Sequence, residues 1–152
     1  MKLRAADASD VLALAAIHAE AFDHPWPPEA FTELLASPGV FALAAVTEAP
    51  VALILMRAIA GEAEVLTLAV AAGHRRLGAA RALLEAGLGL AAQQGADTCF
   101  LEVAADNDAA IGLYRSSGFE AAGRRAGYYR RSGHAPVDAL VLRRTLNNGA
   151  RP

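Results

Sequence analysis

Several things are scarce in this 152-residue sequence, and each shortage closes off a class of protein. With one cysteine, Cys99, no internal disulfide can form. Cys99 lies in the apolar run Thr98–Val103, where a buried, inert thiol is expected. The histidines, His18, His24, His74 and His134, are scattered without the spacing of a metal site. The net charge of −2 gives no basic footprint for nucleic acid or an anionic membrane. Apolar stretches are broken by charges before reaching the length that spans a bilayer. Met1-Lys2-Leu3-Arg4 runs into polar residues rather than a signal-peptide core, so a soluble, cytoplasmic protein is expected.

What is present suits a globular chain: 55% apolar and 20% charged residues exclude disorder, and the length suits one domain. That domain is expected over residues 1–146, with 147–152 as a frayed tail. After a short strand at 2–6, Asp7 and Asp10 offer cap side chains for a helix through about Ala21. Its buried stripe would be Val11, Leu14, Ala15, Ile17 and His18. Pro25, Pro27 and Pro28 forbid continuous helix, and a second short helix follows at about 28–36. Strands at 40–47, 51–60 and 62–70 form a meander. A long helix is expected from Arg75 to Gln94, with Leu77, Ala80, Leu84, Leu88 and Ala91 on one face. On another face Arg81 and Glu85 stand at i,i+4 spacing as an ion pair. A strand at 98–104, a helix at 108–117 and strands at 119–129 and 137–146 complete the order β-α-α-β-β-β-α-β-α-β-β. This is an α/β fold on one mixed sheet. Nothing in the sequence speaks to oligomeric state.

The most informative stretch is Leu66-Thr67-Leu68-Ala69-Val70 followed, after a short loop, by Arg75-Arg76-Leu77-Gly78-Ala79-Ala80. A strand ends and a helix opens with basic residues and a glycine. The first N–H groups of such a helix lack internal partners and carry the positive end of its dipole, which suits a pyrophosphate. The alternative is an arginine-rich first turn facing solvent. The stretch is neither a Walker loop nor a three-glycine dinucleotide fingerprint. It does match the Arg/Gln-x-x-Gly-x-Gly/Ala signature of the GNAT acetyltransferases, and the element order resembles that superfamily over almost the whole chain. The resemblance implies a mostly antiparallel sheet of about seven strands with four helices. It also implies acetyl-CoA as cofactor. The backbone of Leu68, Ala69 and Val70 would meet the pantetheine, and Arg75, Arg76, Leu77, Gly78, Ala79 and Ala80 the pyrophosphate.

Glu102 sits mid-strand in Phe100-Leu101-Glu102-Val103-Ala104. A carboxylate there must be paired, with Arg124 or Arg125 for example, or must line a cavity, where desolvation favours general-base work. Asn107 is either a helix cap or a cofactor contact, and Tyr114 either a core phenol or the acid that protonates a departing thiolate. Ala21-Phe22, His24-Pro25-Trp26, Leu101-Glu102-Val103, Asn107, Ala110-Ile111, Leu113-Tyr114, Gly118-Phe119, Tyr128-Tyr129 and Asp138-Ala139 resemble one branch, the bacterial ribosomal-protein-alanine N-acetyltransferases. That resemblance implies Glu102 as general base, Tyr114 as general acid and Asn107 at the cofactor. Pro25, Trp26 and Tyr129 would border a groove for the acceptor peptide, a protein N-terminus. Trp26 as a loop anchor and the tyrosine pair as cross-strand packing are the plainer alternatives.

An α-amine titrates near roughly 8 and a lysine near roughly 10.4, so deprotonating the former at neutral pH is easier by about 3 kcal/mol. The neutral amine would attack the thioester directly, with a backbone N–H of Ala69 or Val70 facing the developing oxyanion. The sequence departs from the branch in carrying Ala80 for the last glycine of the signature. It also reads Ala135-Pro136-Val137-Asp138-Ala139 where the branch has Gly-Glu-Asp-Ala, one acidic residue fewer. Rival readings are acetylation of a small-molecule amine, acetylation of lysine, and a non-catalytic acyl-CoA-binding module.

Overall fold

The computed structural model describes residues 1–131 and 133–146, so the expected tail at 147–152 lies outside the described residues. In chain order the elements are β1 (Lys2–Ala6), α1 (Val11–Ala21), α2 (Pro28–Leu35), β2 (Val40–Val46), β3 (Pro50–Ile59) and β4 (Glu62–Val70). They continue with α3 (Ala79–Gln93), β5 (Thr98–Ala104), α4 (Asp108–Ser116), β6 (Glu120–Arg131) and β7 (His134–Thr145). One seven-stranded sheet runs β1-β2-β3-β4-β5-β7-β6, and its sole parallel pair is β4 with β5.

α1 starts where the acidic pair directs. Asp7 accepts from Ser9 N–H while Asp10 accepts from Asp7 N–H, a reciprocal cap on the turn Ala8–Asp10. Arg4 of β1 clamps Asp10 through both oxygens at 2.8 Å, and this pairing holds the Asp10 carboxyl down at about 2. The expected stripe of α1 is the one buried.

β3 is buried on both faces from Val51 to Met56, as a central strand with helices on each side must be. Leu53 and Leu55 pack with α1 and α2, whereas Ile54 and Met56 pack with α3. The β3–β4 turn puts Ala60 and Gly61 at φ 53 and 84, the two left-handed residues of a tight hairpin.

Two expectations fail at α3. The helix begins at Ala79 rather than Arg75, because Arg76 and Gly78 adopt φ 64 and 83, incompatible with α-helix, after a 3-10 turn at Ala72–His74. Leu77 is therefore 68% exposed in the preceding loop instead of lying on the helix's apolar face. The Arg81–Glu85 pair does not form either. Arg81 donates to the hydroxyls of Ser116 (2.6 Å) and Ser117 (3.4 Å), and Glu85 meets Arg144 of β7 at 3.3 Å. Both side chains have tertiary partners, and a surface i,i+4 pair gains too little to compete.

Candidate active site

The site is made by a strand pair that parts. β4 and β5 are paired only where Glu62, Ala63 and Glu64 meet Thr98, Cys99 and Phe100. Beyond that they diverge, leaving the second half of β4 without a neighbour on the β5 side. The Ala71 N–H bonds to Val51 O, so by antiparallel alternation Ala69 turns its backbone groups to β3. Leu68 and Val70 turn theirs into the gap, and Val70, not Ala69, has its N–H toward the opening.

Arg75 holds the loop beyond β4 in place. Its guanidine donates to Val70 O (3.3 Å) and to Glu20 O (3.1 Å) near the C-terminal end of α1, a favourable place for a cation. Arg76 has no side-chain partner among the described residues. Ala82 N–H makes the first bond of α3, to Gly78 O, and no side chain caps this end. The N–H groups of Ala79, Ala80 and Arg81 are left as donors at the positive end of a 15-residue helix. Gly78 sits at φ 83, where glycine is favoured, and open space surrounds it. An uncapped helix end with a loose arginine beside it fits a pyrophosphate.

Where the strands splay, a cavity of about 570 Å³ opens, of the size that holds small ligands. Leu68, Glu102, Asn107, Tyr114, Trp26 and Tyr129 all line it. Pro25, Ala69, Val70 and residues 75–80 do not; Pro25 sets the chain before Trp26, and 75–80 lie beyond the cavity at the helix end. Glu102, with 24% of its side chain exposed, meets Arg125 Nη2 at 3.0 Å, so the carboxylate is both ion-paired and on the cavity wall. The arginine reaches across from β6, and its guanidinium lies 5.2 Å from the Tyr128 ring centre.

Tyr114 is 7% exposed, packed edge-on to Phe119, and burial pushes its phenol up, which keeps the proton on oxygen. Asn107 caps α4 through Oδ1, which accepts from Ala110 N–H at 3.2 Å, and lines the cavity as well. Tyr128 and Tyr129 are in edge contact at 5.1 Å; the first is 50% exposed and only the second reaches the cavity. They are set there by a break in register. Arg125 pairs with Ala139 and Tyr129 with Val137, so β6 carries two extra residues in between. Gly127, at φ 62, makes that bulge possible, and its N–H is held by Asp138 Oδ1 at 2.8 Å while Arg124 pairs with the other oxygen.

Sequence reasoning missed His18 and Thr67 as residues of the site. His18 counted only as part of a buried helix stripe, and no spacing motif connects it to Thr67, 49 residues away. Asp23, His24 and Asp106 also line the cavity without having been singled out. Cys99 is fully buried, burial pushes its thiol up to about 12, and it takes no part in the lining.

A strand splay above an uncapped helix, with a carboxylate and a phenol on the cavity between, defines a class. Residues 11–119 match the Acetyltransferase (GNAT) family, and the chain belongs to that family. It is an acetyl-CoA-dependent N-acetyltransferase. Over 143 residues it is 41% identical to the N-alpha-acetyltransferase RimI of Mycobacterium tuberculosis, covering 90% of this chain and 87% of that one. It is 36% identical over 88 residues to the ribosomal protein bS18 alanine N-acetyltransferase of Escherichia coli K12, covering 58% and 59% of the two chains. The solved ribosomal-protein-S18-alanine N-acetyltransferase of Escherichia coli superposes with a TM-score of 0.89 at 27% identity, over 95% of this chain and 93% of that one. The NAA60 protein of Arabidopsis thaliana, solved in complex with acetyl-CoA, has the same fold at a TM-score of 0.85 and 22% identity, covering 97% and 99%.

Proposed function

We propose that the protein acetylates the N-terminal α-amine of a protein, a ribosomal protein beginning with alanine being the leading acceptor. The observation that carries the reading is the cavity itself: Glu102 and Tyr114 line one space bordered by Trp26 and Tyr129. The similarity to N-terminal acetyltransferases along most of the chain supports it. Acetyl-CoA supplies an acetyl group already activated as a thioester.

The chain's own residues then have three tasks. The N-terminus of α3 and Arg76 hold the pyrophosphate, and the open edge of β4, at Leu68 and the Val70 N–H, offers backbone partners to the pantetheine. Glu102 accepts the proton that the ammonium must lose, directly or through water. To do so it exchanges Arg125 for the incoming amine, and the arginine has the Tyr128 face to rest on. Tyr114 Oη gives the leaving sulfur its proton, and the second proton, shed by the nitrogen as it becomes an amide, restores the phenol. Asn107 fixes the start of α4 and so the position of Tyr114 two turns further along the same helix. A ribosomal-protein acceptor would place this work in the cytoplasm, and residues 1–146 would carry it as one domain.

The carboxylates of Asp23, Glu102 and Asp106 around the cavity suit any cationic amine, so the acceptor must be tested. Thiol release from acetyl-CoA is to be followed with a free N-terminal alanine peptide, an N-terminally blocked peptide carrying lysine, and a polyamine. Turnover confined to the free N-terminus is expected. Turnover with the polyamine alone refutes the reading in favour of a small-molecule acceptor, and acetyl-CoA binding without any turnover refutes it in favour of a binding module.

A further inference from the structure

We propose that His18 is a positioning residue of the acceptor site, its ring tying Trp26 to Thr67 of β4 and so fixing the aromatic wall beside Glu102. The inference rests on Trp26 bordering the acceptor.

The unit is assembled from three sequence features. First, Pro25, Pro27 and Pro28 have no N–H, which leaves Trp26 with the one backbone donor of that stretch. His18 Nδ1 accepts it at 3.0 Å. Second, with Nδ1 accepting, the neutral ring carries its proton on Nε2 and donates to Thr67 Oγ1 at 3.2 Å. Third, Thr67 faces α1 only because β4 bulges. Leu55 pairs with Thr67 but Met56 with Val65, so Leu66 and Thr67 follow one another on the α1 side.

The ring faces are filled too. Phe22 stacks at 4.3 Å and Trp26 at 4.8 Å between centres, and Phe31 meets the ring edge-on at 5.6 Å. His18 is 2% exposed although it lines the cavity, so both nitrogens must be satisfied from within the protein. Asp23, His24, Glu102, Asp106, Tyr114 and Tyr129 face the same space. Burial alone pushes the imidazole down to about 4. At neutral pH the ring is uncharged and its contribution is geometric: the wall that receives the acceptor is bolted to the strand that receives the cofactor.

Trp26 is the sole tryptophan, so its fluorescence reads this joint directly. His18→Phe keeps the stacking and removes both nitrogens; Thr67→Val removes only the Nε2 partner. The expected result is a red-shifted Trp26 emission in both. The acceptor KM should rise roughly ten-fold in His18→Phe and about three-fold in Thr67→Val, with acetyl-CoA Kd unchanged within about two-fold. His18→Asn, which restores an acceptor near the Nδ1 position, should recover part of the acceptor KM. Unchanged acceptor KM in the folded variants overturns the proposal, as does a parallel loss of acceptor and acetyl-CoA affinity, which would mean general loosening. Should His18→Phe fail to fold, Thr67→Val carries the test. If the wild type turns over no free N-terminal peptide, the functional reading fails by itself. The emission, read without acceptor, still decides the joint, and an unshifted spectrum in Thr67→Val overturns it.

Discussion

Lowering the pH from 7.5 to 5 should remove about 2 kcal/mol of stability through His18 alone. In the unfolded chain the imidazole takes a proton near 6.5, whereas in the folded protein burial delays this to about 4. The folded-state value is depressed, so the stabilisation is complete above 6.5 and is lost as the pH falls from 6.5 toward 4. At 1.36 kcal/mol per pKa unit the full interval amounts to about 3 kcal/mol, of which about 2 kcal/mol has gone by pH 5. The carboxyls held low in the folded state, those of Asp7, Asp10 and Asp138, lose their stabilisation only at more acidic pH and leave this window clear. Urea unfolding of the wild type and of His18→Phe at pH 7.5 and 5 measures the effect as a difference of differences. The wild type should lose about 2 kcal/mol more than the variant over this interval. Equal losses would refute the neutral, doubly bonded imidazole.

Glu102→Gln should lower turnover by roughly 10²–10⁴-fold with acetyl-CoA affinity nearly intact, and an unchanged rate removes Glu102 from the reaction. Tyr114→Phe should lower kcat by about 10- to 100-fold, less than for the base because a thiolate leaves readily; single-turnover kinetics will show whether it does. Asp138→Ala frees the Gly127 N–H and should raise the acceptor KM about five-fold at constant acetyl-CoA Kd, since the β6 bulge then no longer holds Tyr129. Ala60→Gly should raise the stability by about 1 kcal/mol in thermal or urea unfolding, because a left-handed alanine at φ 53 is strained and glycine is not.

Much of the fold was legible in the sequence because local signals and burial pattern agree. The acidic pair Asp7 and Asp10 marks the start of α1, the turn at Gly61 and the β-type runs give the bounds of β4 and β5 to the residue, and the prolines separate α1 from α2. The start of α3 was not legible, since Arg76 in left-handed backbone is a choice made by the loop and not by residue type. Neither were the partners of Arg81 and Glu85, which lie 35 and 59 residues away.

In the site, Glu102 stood out as a charge inside an apolar strand, and its two readings turn out to be compatible: it faces Arg125 and the cavity together. Asn107 likewise caps and lines. His18 was invisible as a site residue because its role depends on a one-residue bulge in β4 and on the chain folding back at Trp26, and both are tertiary events. The departure at Val137 falls opposite Tyr129, while Asp138 keeps the contacts that shape the bulge.

The most direct test is to offer one peptide with both a free N-terminal alanine and an internal lysine, and to locate the acetyl group by tandem mass spectrometry. Acetylation of the α-amine, with the lysine untouched, is the predicted result. Acetylation of the lysine would contradict the account.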